Sequence, residues 1–356
     1  MTTAPRGRDA TDAEVRGADA PGFESAGFES PGSESAGSAS PGSASPDYDV
    51  LVVGGTGVDT IVRVDDFAIP DSDSVGVPPI RDYVAHTGNG VALGFHALGL
   101  TTKFIDFLGD DAQGRMILER YASAGLDFSH LPAPAGTPRS VNLVDREGRR
   151  FSFYDGRHPD GLRLPSAFYL PHLARARHVH ISRSPLAQDV FADAARLGRT
   201  VSTDLHAWDG EDASAHPWAY GADLVFLSAA SVGEGIGAVM LRIVARGRAS
   251  LVVATDGAAG CHVLARGDDR PRHFPAVTPE RPVVDSNGAG DAFLTAFLHA
   301  RFAGRDLAEC VLAGSVSGAY ACGSHGTHEE IIGAADLAAA VARARAAANG
   351  AVGAVL

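Results

Sequence analysis

The sequence predicts an α/β fold: a doubly wound, mostly parallel sheet with helices on both faces, accompanied by a small second β-sheet. From residue 48 onward, short apolar runs alternate with helical patterns, which is typical of a parallel sheet. Several of these runs are apolar at every position, as in strands that are buried on both faces. Two other segments alternate polar and apolar residues without helices between their strands, which favours a separate small sheet.

The first predicted strand of the main sheet covers residues 50–53 and ends at Gly54-Gly55, where the chain would turn. Later strands are predicted at residues 103–107, 179–181, 201–204, 224–227 and 251–255. Helices are predicted between strands, for example at residues 189–198 and 237–246. The carboxyl ends of such strands form the edge at which α/β proteins bind ligands.

The small sheet is predicted from two segments, residues 61–84 and 140–154. The second segment has a hairpin turn at Glu147-Gly148. Because neither segment has a helix between its strands, we expect the two to pair with each other. The pair would project over the main sheet as a lid.

Residues 1–47 differ in composition from the rest of the chain, being rich in Ser, Gly, Ala and Glu. Such a stretch cannot bury enough apolar surface to offset its ordering entropy, so we expect a disordered, low-complexity tail. It lacks the basic start and apolar centre of a secretion signal, and no run elsewhere is long and apolar enough to span a bilayer. The folded domain is therefore expected at residues 48–350.

Composition limits the classes of partner. The chain has 356 residues, of which 45% are hydrophobic, and a formal net charge of −13. This charge argues against nucleic acid and anionic membranes as partners, because both are bound through basic patches. Cys261, Cys310 and Cys322 are odd in number and lack C-x-x-C spacing, so neither a disulfide framework nor a thiolate metal site is predicted. We expect a cytoplasmic protein that acts on a small molecule.

The most informative motif is a glycine-rich turn at residues 285–291, followed by an apolar run at 292–298 that predicts a helix. The small residues Gly288, Ala289 and Gly290 allow a sharp turn, so that backbone N–H groups and the helix dipole converge on one anion. Asp291 would lie in the first helical turn, where its carboxylate can reach a hydroxyl beside that anion. The motif predicts phosphoryl transfer to an alcohol; the alternative is an Asp that merely caps a helix.

The lysine content narrows the possible phosphate sites. Lys103 is the only lysine of the chain, and it lies in an apolar run that predicts a buried strand. A P-loop and a protein-kinase site both require a lysine at the phosphates, in motifs that this sequence does not contain. An anion site built from backbone amides is the remaining scheme.

In the order of these motifs, residues 48–335 resemble the ribokinase-like (PfkB-type) carbohydrate kinase family, which phosphorylates sugars and nucleosides with ATP. The resemblance implies a doubly wound sheet with a β-lid. It also implies that Asp291 is the catalytic base and that residues 288–290 are the anion hole. A lid of this kind would exclude water from a phosphate donor.

The resemblance also implies residues that bind the substrate. Asp59, just past the first predicted strand, matches the family's aspartate for substrate hydroxyls, although an isolated Asp in a turn more often bonds its own backbone. Gly88 and Asn89 resemble a second glycine and asparagine motif. That match is imperfect, because Gly90 stands where the family usually has its Asn and Asn89 comes one residue early.

On the nucleotide side, the resemblance implies Thr255, Gly257 and Gly260 at the ATP phosphates and ribose, and a stretch ending at Gly326 along the adenine. Ser228 follows the strand at 224–227 and is assigned to the same site. The family commonly has N-x-x-E here, a pair that organises Mg²⁺, but this chain has Ser228-Ala229-Ala230-Ser231. Serines replace a carboxylate poorly around a hard cation, so we expect Mg²⁺ to be held mainly by phosphates and water.

Candidate metal ligands in the protein remain unknown. Asp204 or Glu234 could assist with Mg²⁺, and in relatives a monovalent cation lies near the residue that matches Asp285. The spacings of His178 with His180, and of His325 with His328, suit a metal site only weakly, because no third ligand is evident. His206, after the strand at 201–204, is a lone candidate for the cleft.

The expected function is an ATP-dependent kinase that transfers the γ-phosphoryl group to a hydroxymethyl group of a sugar or sugar-like substrate. A nucleoside kinase is the first alternative, since Asn287 and the segment from Cys310 are reminiscent of adenosine-kinase relatives. The aromatic candidates to hold a base are Tyr83, Phe151, Phe153 and Tyr154, which at alternating strand positions are more often lid core. A second alternative is a ligand-binding or regulatory relative with weak catalysis. Exposed lid edges also favour a homodimer.

Overall fold

The main sheet has nine strands among the described residues: β1 (Tyr48–Val53), β4 (Thr102–Leu108), β5 (Asp127–Pro132), β8 (Ala176–Ile181), β9 (Thr200–Asp204), β10 (Leu224–Ser228), β11 (Leu251–Thr255), β12 (Cys261–Ala265) and β13 (Arg272–Phe274). Their order in the sheet is β13-β12-β11-β10-β9-β8-β1-β4-β5. The seven strands from β11 to β5 are mutually parallel, and β12 and β13 add an antiparallel edge. The mostly parallel sheet predicted from the sequence is confirmed.

The computed structural model describes residues 47–68 and 71–353, with side chains described up to residue 347. The described residues all belong to the unit Ser45–Leu356. The tail predicted at residues 1–47 lies outside the described residues, apart from Asp47.

Helices cover both faces of the main sheet. Strand β1 shows this directly, because Leu51 and Val53 belong to one hydrophobic core and Val50 and Val52 to the other. The helices are α1 (Thr87–Ala97), α2 (Ala112–Ala124), α3 (Ser166–Ala174), α4 (Val190–Arg196), α5 (His216–Gly221), α6 (Ile236–Arg246), α7 (Ala289–Phe302), α8 (Leu307–Ala321) and α9 (Ala334–Gly353). The predicted helices at 189–198 and 237–246 correspond to α4 and α6.

Local signals in the sequence explain where several helices begin and end. Asp111 caps α2, its side chain accepting from the N–H of Gly114 at 2.8 Å, and Gly125 ends that helix with a φ of +72°. Asp306 caps α8 by accepting from the N–H of Glu309 at 2.8 Å. Such caps satisfy donors that the helix itself leaves without partners.

The small sheet has four strands, in the order β3-β2-β6-β7: β2 (Gly57–Arg63), β3 (Arg81–Ala85), β6 (Arg139–Val144) and β7 (Arg150–Asp155). Its two sequence segments pair through β2 and β6, as predicted, and Gly148 turns the β6–β7 hairpin with a φ of +78°. The predicted start at residue 61 was late, because β2 already begins at Gly57. Asp59, which was predicted to lie just past the first strand, therefore lies inside β2.

Three further expectations concern single residues and the membrane. Lys103 lies in β4, as expected, where its Nζ donates to Asp127 Oδ1 at 2.6 Å and to Ser129 Oγ at 2.7 Å. Cys261 and Cys310 are buried, Cys322 is half-buried, and all three are free thiols. In the described part of the chain, no helix has both the length and the apolar character needed to cross a bilayer.

Candidate active site

The anion turn lies at the start of α7. Gly288 occupies the N-cap with a φ of +76°, and a Cβ there would lie 2.0 Å from the carbonyl oxygen of Thr327, so only glycine fits. The N–H of Ala289 donates to Ser286 O at 3.3 Å. Within the described residues, the N–H groups of Gly288, Gly290 and Asp291 make no hydrogen bond. Three backbone donors at a helix N-terminus are therefore available to an anion.

Asp291 lies in the first turn of α7, and its side chain is 12% exposed. Its Oδ2 lies 2.8 Å from Nε2 of His328, and its Oδ1 has no such contact in the described chain. The N-cap of α7 is Gly288, and no side chain makes a capping hydrogen bond at this helix start. The interpretation of Asp291 as a residue that merely caps the helix is therefore wrong. The carboxylate thus stands beside the free amides with one oxygen available.

The small sheet carries Asp59. This carboxylate lies inside β2, is 6% exposed, and accepts from Thr327 Oγ1 at 3.4 Å, so it is not a turn residue bonding its own backbone. Burial alone would raise the pKa of Asp59, but the nearby imidazole of His86, whose Nε2 lies 3.4 Å from Oδ1, and the charges of His328 and Arg150 hold it below its ordinary value. In the described chain, Oδ1 of Asp59 has no hydrogen-bond partner.

Gly88 and Asn89 lie at the start of α1. A Cβ on Gly88 would lie 2.0 Å from the carbonyl oxygen of Gly54, so this glycine lets α1 approach the end of β1. Asn89 is fully buried; its Nδ2 lies 3.1 Å from Val84 O and 2.9 Å from His328 Nδ1. Its Oδ1 is buried without a partner among the described residues. This oxygen, like Asp59 Oδ1, could accept a hydrogen bond from a substrate hydroxyl.

Two arginines of the small sheet contact the segment before the anion turn. Arg63 at the end of β2 donates to Asp285 Oδ2 at 2.7 Å, and Arg150 at the start of β7 donates to Asn287 Oδ1 at 2.9 Å. The Asp285 side chain is 3% exposed. A guanidinium therefore binds the carboxylate near which a monovalent cation was predicted.

The predicted nucleotide residues cluster at the carboxyl ends of β10 and β11. Ser228 and Thr255 end these strands as register partners, and Thr255 Oγ1 donates to Leu227 O at 3.4 Å. Gly257 and Gly260 follow with φ values of +50° and +107°. A Cβ on Gly260 would lie 2.0 Å from Phe274 O, so the turn between β11 and β12 requires glycine.

Gly326 lies elsewhere. Its φ is +104°, and a Cβ there would meet the ring of Tyr83 in β3 at 2.7 Å. It also precedes Thr327, which contacts Asp59. These contacts place Gly326 beside the small sheet, and they do not support its assignment to the nucleotide side.

A protein cage for a metal ion is not found. Among residues 47–68 and 71–353, no group of three or more His, Cys, Asp and Glu side chains could hold a metal ion. Ser228 Oγ accepts from the N–H of Ala230 at 3.2 Å and Ser231 Oγ donates to Ala207 O at 2.6 Å, so both serines serve the backbone. Glu234 is exposed. Within the described ranges, the serines at 228 and 231 are therefore not accompanied by a carboxylate cage.

The two histidine pairs have different surroundings, and in the described residues neither belongs to a group of three that could hold a metal ion. In β8, His178 contacts Thr200 Oγ1 and Ser202 Oγ at 2.9 and 2.8 Å, and His180 contacts Ser202 Oγ at 3.0 Å. His325 is exposed, whereas His328 is buried beside the carboxylate of Asp291.

Asp204 and His206 form a pair at the end of β9. Asp204 Oδ1 accepts from the N–H of His206 at 2.9 Å, and His206 has a φ of +55°. Burial would lower the pKa of His206, but the hydrogen bond and charge of Asp204 and the charge of Asp291 raise it above its usual range. The side chain of His206 is 47% exposed, and its place in the cleft stays a prediction.

Sequence reasoning did not identify three residues that organise this site: His328, Arg63 and Arg150. The single available signal was Gly90, where the family has a larger side chain. A Cβ at this position would lie 2.2 Å from His328 Nε2, so the small residue makes room for the imidazole.

Comparison with known proteins agrees with this geometry. The family model "pfkB family carbohydrate kinase" matches residues 48–332. The chain is 50% identical over 275 residues to the acarbose 7(IV)-phosphotransferase of Actinoplanes sp., covering 77% of this chain and 92% of that protein. It is also 27% identical over 299 residues to a nucleoside kinase of Methanothermobacter thermautotrophicus, covering 80% and 93%.

The chain is also similar to solved structures of kinases. The microbiome-derived acarbose kinase Mak1 is 47% identical, with a TM-score of 0.77, and the match covers 83% of this chain and 99% of that one. The Arabidopsis thaliana ribokinase, 18% identical with a TM-score of 0.70 over 84% and 99% of the two chains, shares the fold. The ribokinase-like fold predicted from the sequence is confirmed. With a carboxylate beside free amides at a helix N-terminus and a family match over most of its length, the chain belongs to the pfkB family of carbohydrate kinases, phosphotransferases that use ATP to phosphorylate a hydroxyl group of a sugar or sugar-like substrate.

Proposed function

We propose that this kinase transfers the γ-phosphoryl group of ATP to a hydroxymethyl group of acarbose or of a closely similar sugar-like substrate. The half-identical relative from Actinoplanes sp. supports the choice of substrate. The observation that carries the proposal is the contact of one ring, His328, with both Asp291 and Asn89. This ring links a residue of the predicted acceptor site to the predicted base.

In the proposed reaction, the substrate hydroxyl gives its proton to Asp291 Oδ1 as its oxygen attacks the γ-phosphorus. The bond from that phosphorus to the bridging oxygen breaks, and ADP leaves. The free N–H groups of Gly288 and Gly290 stabilise the charge on the transferred group. Ala289 contributes less, because its N–H already donates to Ser286 O.

Asp59 and Asn89 are proposed to bind the substrate hydroxyls, because each has a buried oxygen with no partner in the described chain. Gly88 serves them indirectly by letting α1 approach β1. Thr255, Gly257, Gly260 and Ser228 are proposed to border the nucleotide. The assignment of Gly326 to the adenine pocket stays a prediction from the sequence.

The family uses a divalent metal ion with ATP, and we propose Mg²⁺. Since the serines at 228 and 231 bond to the backbone, this ion would be bound mainly by the nucleotide phosphates and would neutralise their charge. A monovalent cation near Asp285 would have to compete with Arg63. The free thiols fit our inference that the protein acts in the cytoplasm.

The proposal is tested by ADP release in the presence of Mg²⁺ with acarbose, ribose, fructose and adenosine as acceptors. We expect the highest kcat/KM with acarbose. Asp291→Asn should lower kcat by about 10² to 10⁴ and leave the KM for ATP within a few-fold, since a positioned base contributes about that factor. Preference for adenosine would favour the nucleoside-kinase alternative. If none of the four acceptors leads to ADP release, the ligand-binding or regulatory alternative would be favoured.

We further propose that the small sheet forms a homodimer contact. Its edge strand β7 exposes Phe151 and Phe153, 53% and 58% accessible, beside Val141 of β6 at 37%. These two rings lie outside the lid core, contrary to the interpretation drawn from their alternation. Edge strands with exposed apolar side chains tend to pair. Light scattering should give twice the monomer mass, and a monomer mass at all concentrations would contradict this.

A further inference from the structure

The imidazole of His328 occupies a space that two glycines leave for it. The ring is buried between the start of α1 and the start of α7. A Cβ on Gly90 would lie 2.2 Å from its Nε2, and a Cβ on Gly288 would lie 2.8 Å from its Cδ2. A side chain at either position would displace the ring. The glycines at the starts of α1 and α7 therefore allow His328 to occupy this position.

The hydrogen bonds of Asn89 determine which ring nitrogen carries the proton. Nδ2 of Asn89 lies 3.1 Å from the carbonyl oxygen of Val84. A carbonyl can only accept, so this atom must be the amide NH₂ group, and its second hydrogen points to His328 Nδ1 at 2.9 Å. Nδ1 therefore accepts, and the proton of the neutral ring lies on Nε2.

We propose that His328 is a positioning residue for the phosphoryl transfer. Its Nε2–H donates to Asp291 Oδ2 at 2.8 Å, which holds the carboxylate in one orientation and leaves Oδ1 for the substrate hydroxyl. The inference rests on the proposed role of Asp291 as the base. The charged groups facing His328 are Asp291, Asp59 and Arg120, whose Nη2 donates to the His328 carbonyl at 3.1 Å.

The same bond should affect the rate, because it holds the carboxylate in the orientation that the reaction needs. A hydrogen bond to a charged group is worth about a 10- to 100-fold change in an equilibrium or rate constant. Loss of the Nε2–H should therefore lower kcat.

The test compares His328→Leu with His328→Gln, whose amide NH₂ can take the place of Nε2–H. We expect the Leu variant to lose about 10- to 100-fold in kcat, with KM for ATP within a few-fold. The Gln variant should recover most of the rate. Equal losses in both variants, or a loss that appears in KM for ATP and not in kcat, would overturn the proposal.

A second measurement uses the unaltered enzyme and does not depend on the folding of any variant. Long-range ¹H–¹⁵N correlation on histidine-labelled protein should show His328 in the Nε2–H form at neutral pH. An Nδ1–H form would overturn the proposal even in an active kinase. Because this readout needs no turnover, it remains informative if no acceptor is phosphorylated, an outcome that would count against the proposed function instead.

Discussion

The contact between Arg63 and Asp285 should support the anion turn, and replacing Arg63 with Met should show it. The guanidinium Nη2 lies 2.7 Å from Asp285 Oδ2, and the side chains of Arg63 and Asp285 are 29% and 3% exposed. In Arg63→Met the buried carboxylate keeps one neighbour, the N–H of Asn287 at 3.0 Å from Oδ1. Met preserves the length of the apolar stem, so the change removes mainly the charge and the hydrogen bond.

The size of the effect follows from burial. Breaking a buried ion pair by removing one partner typically costs about 3–5 kcal/mol, because the other charge is left uncompensated. Since water reaches part of Arg63, we reduce this to about 2–3 kcal/mol of unfolding free energy. Asp285→Asn removes the buried charge, so Arg63→Met in that background should cost about 1 kcal/mol or less. The coupling energy of the pair is thus about 2 kcal/mol.

The assay is urea-induced unfolding of the wild type, both single variants and the double variant. Arg146→Met is the matched control, because Arg146 Nη2 lies at the same 2.7 Å from Asp65 Oδ1 but the side chains are 73% and 82% exposed. Such a surface pair should be worth about 0–1 kcal/mol. If Arg63→Met costs no more than Arg146→Met, the reasoning from burial is refuted.

The same variant has a functional readout. Potassium should stimulate the kinase activity of Arg63→Met more than that of the wild type, since a small cation could then approach Asp285. Equal stimulation of the two proteins would speak against Arg63 occupying a cation site beside Asp285. Two further predictions concern stability. His178 and His180 are fully buried, and burial lowers their pKa values from 6.5 to about 3 and about 4. The unfolded chain therefore binds more protons below pH 6.5, so stability is lost as the pH falls, by about 2 kcal/mol per histidine at pH 5. His178→Gln should reduce the difference in unfolding free energy between pH 7.5 and pH 5.0 by about 2 kcal/mol, and an unchanged difference would count against the assignment. Gly288→Ala should destabilise more than Gly304→Ala, because both glycines have similar φ values, +76° and +74°, but only the first has a backbone oxygen 2.0 Å from the new Cβ. The backbone strain alone costs about 1–2 kcal/mol, so equal losses in thermal unfolding would show that the contact with Thr327 does not matter.

Much of the fold could be predicted because its signals are local. The apolar run that became β1 and the glycines at 288 and 148 each act within a few residues, and the structure places them as expected. Asp59 was misplaced for the same reason. Nothing local showed that the chain re-enters a strand at Gly57, because that strand forms by pairing with β3 and β6, which both come later in the chain.

The glycine turn before α7 shows what local signals predict and what they miss. Asp291 and its glycine turn are adjacent in the chain, so the sequence alone predicts a carboxylate beside free amides at the start of a helix. Their neighbours come from far away: Asn89 and His328 are 239 residues apart, Arg63 and Asp285 are 222, and Arg150 and Asn287 are 137.

The sequence by itself thus determined the class of fold, the glycine turn and the position of a carboxylate beside it, since periodicity and turn chemistry are properties of short segments. The tertiary structure decided which side chains surround that carboxylate. Those contacts depend on how the small sheet and α1 pack against the start of α7, and packing between distant segments leaves no periodic pattern in one sequence.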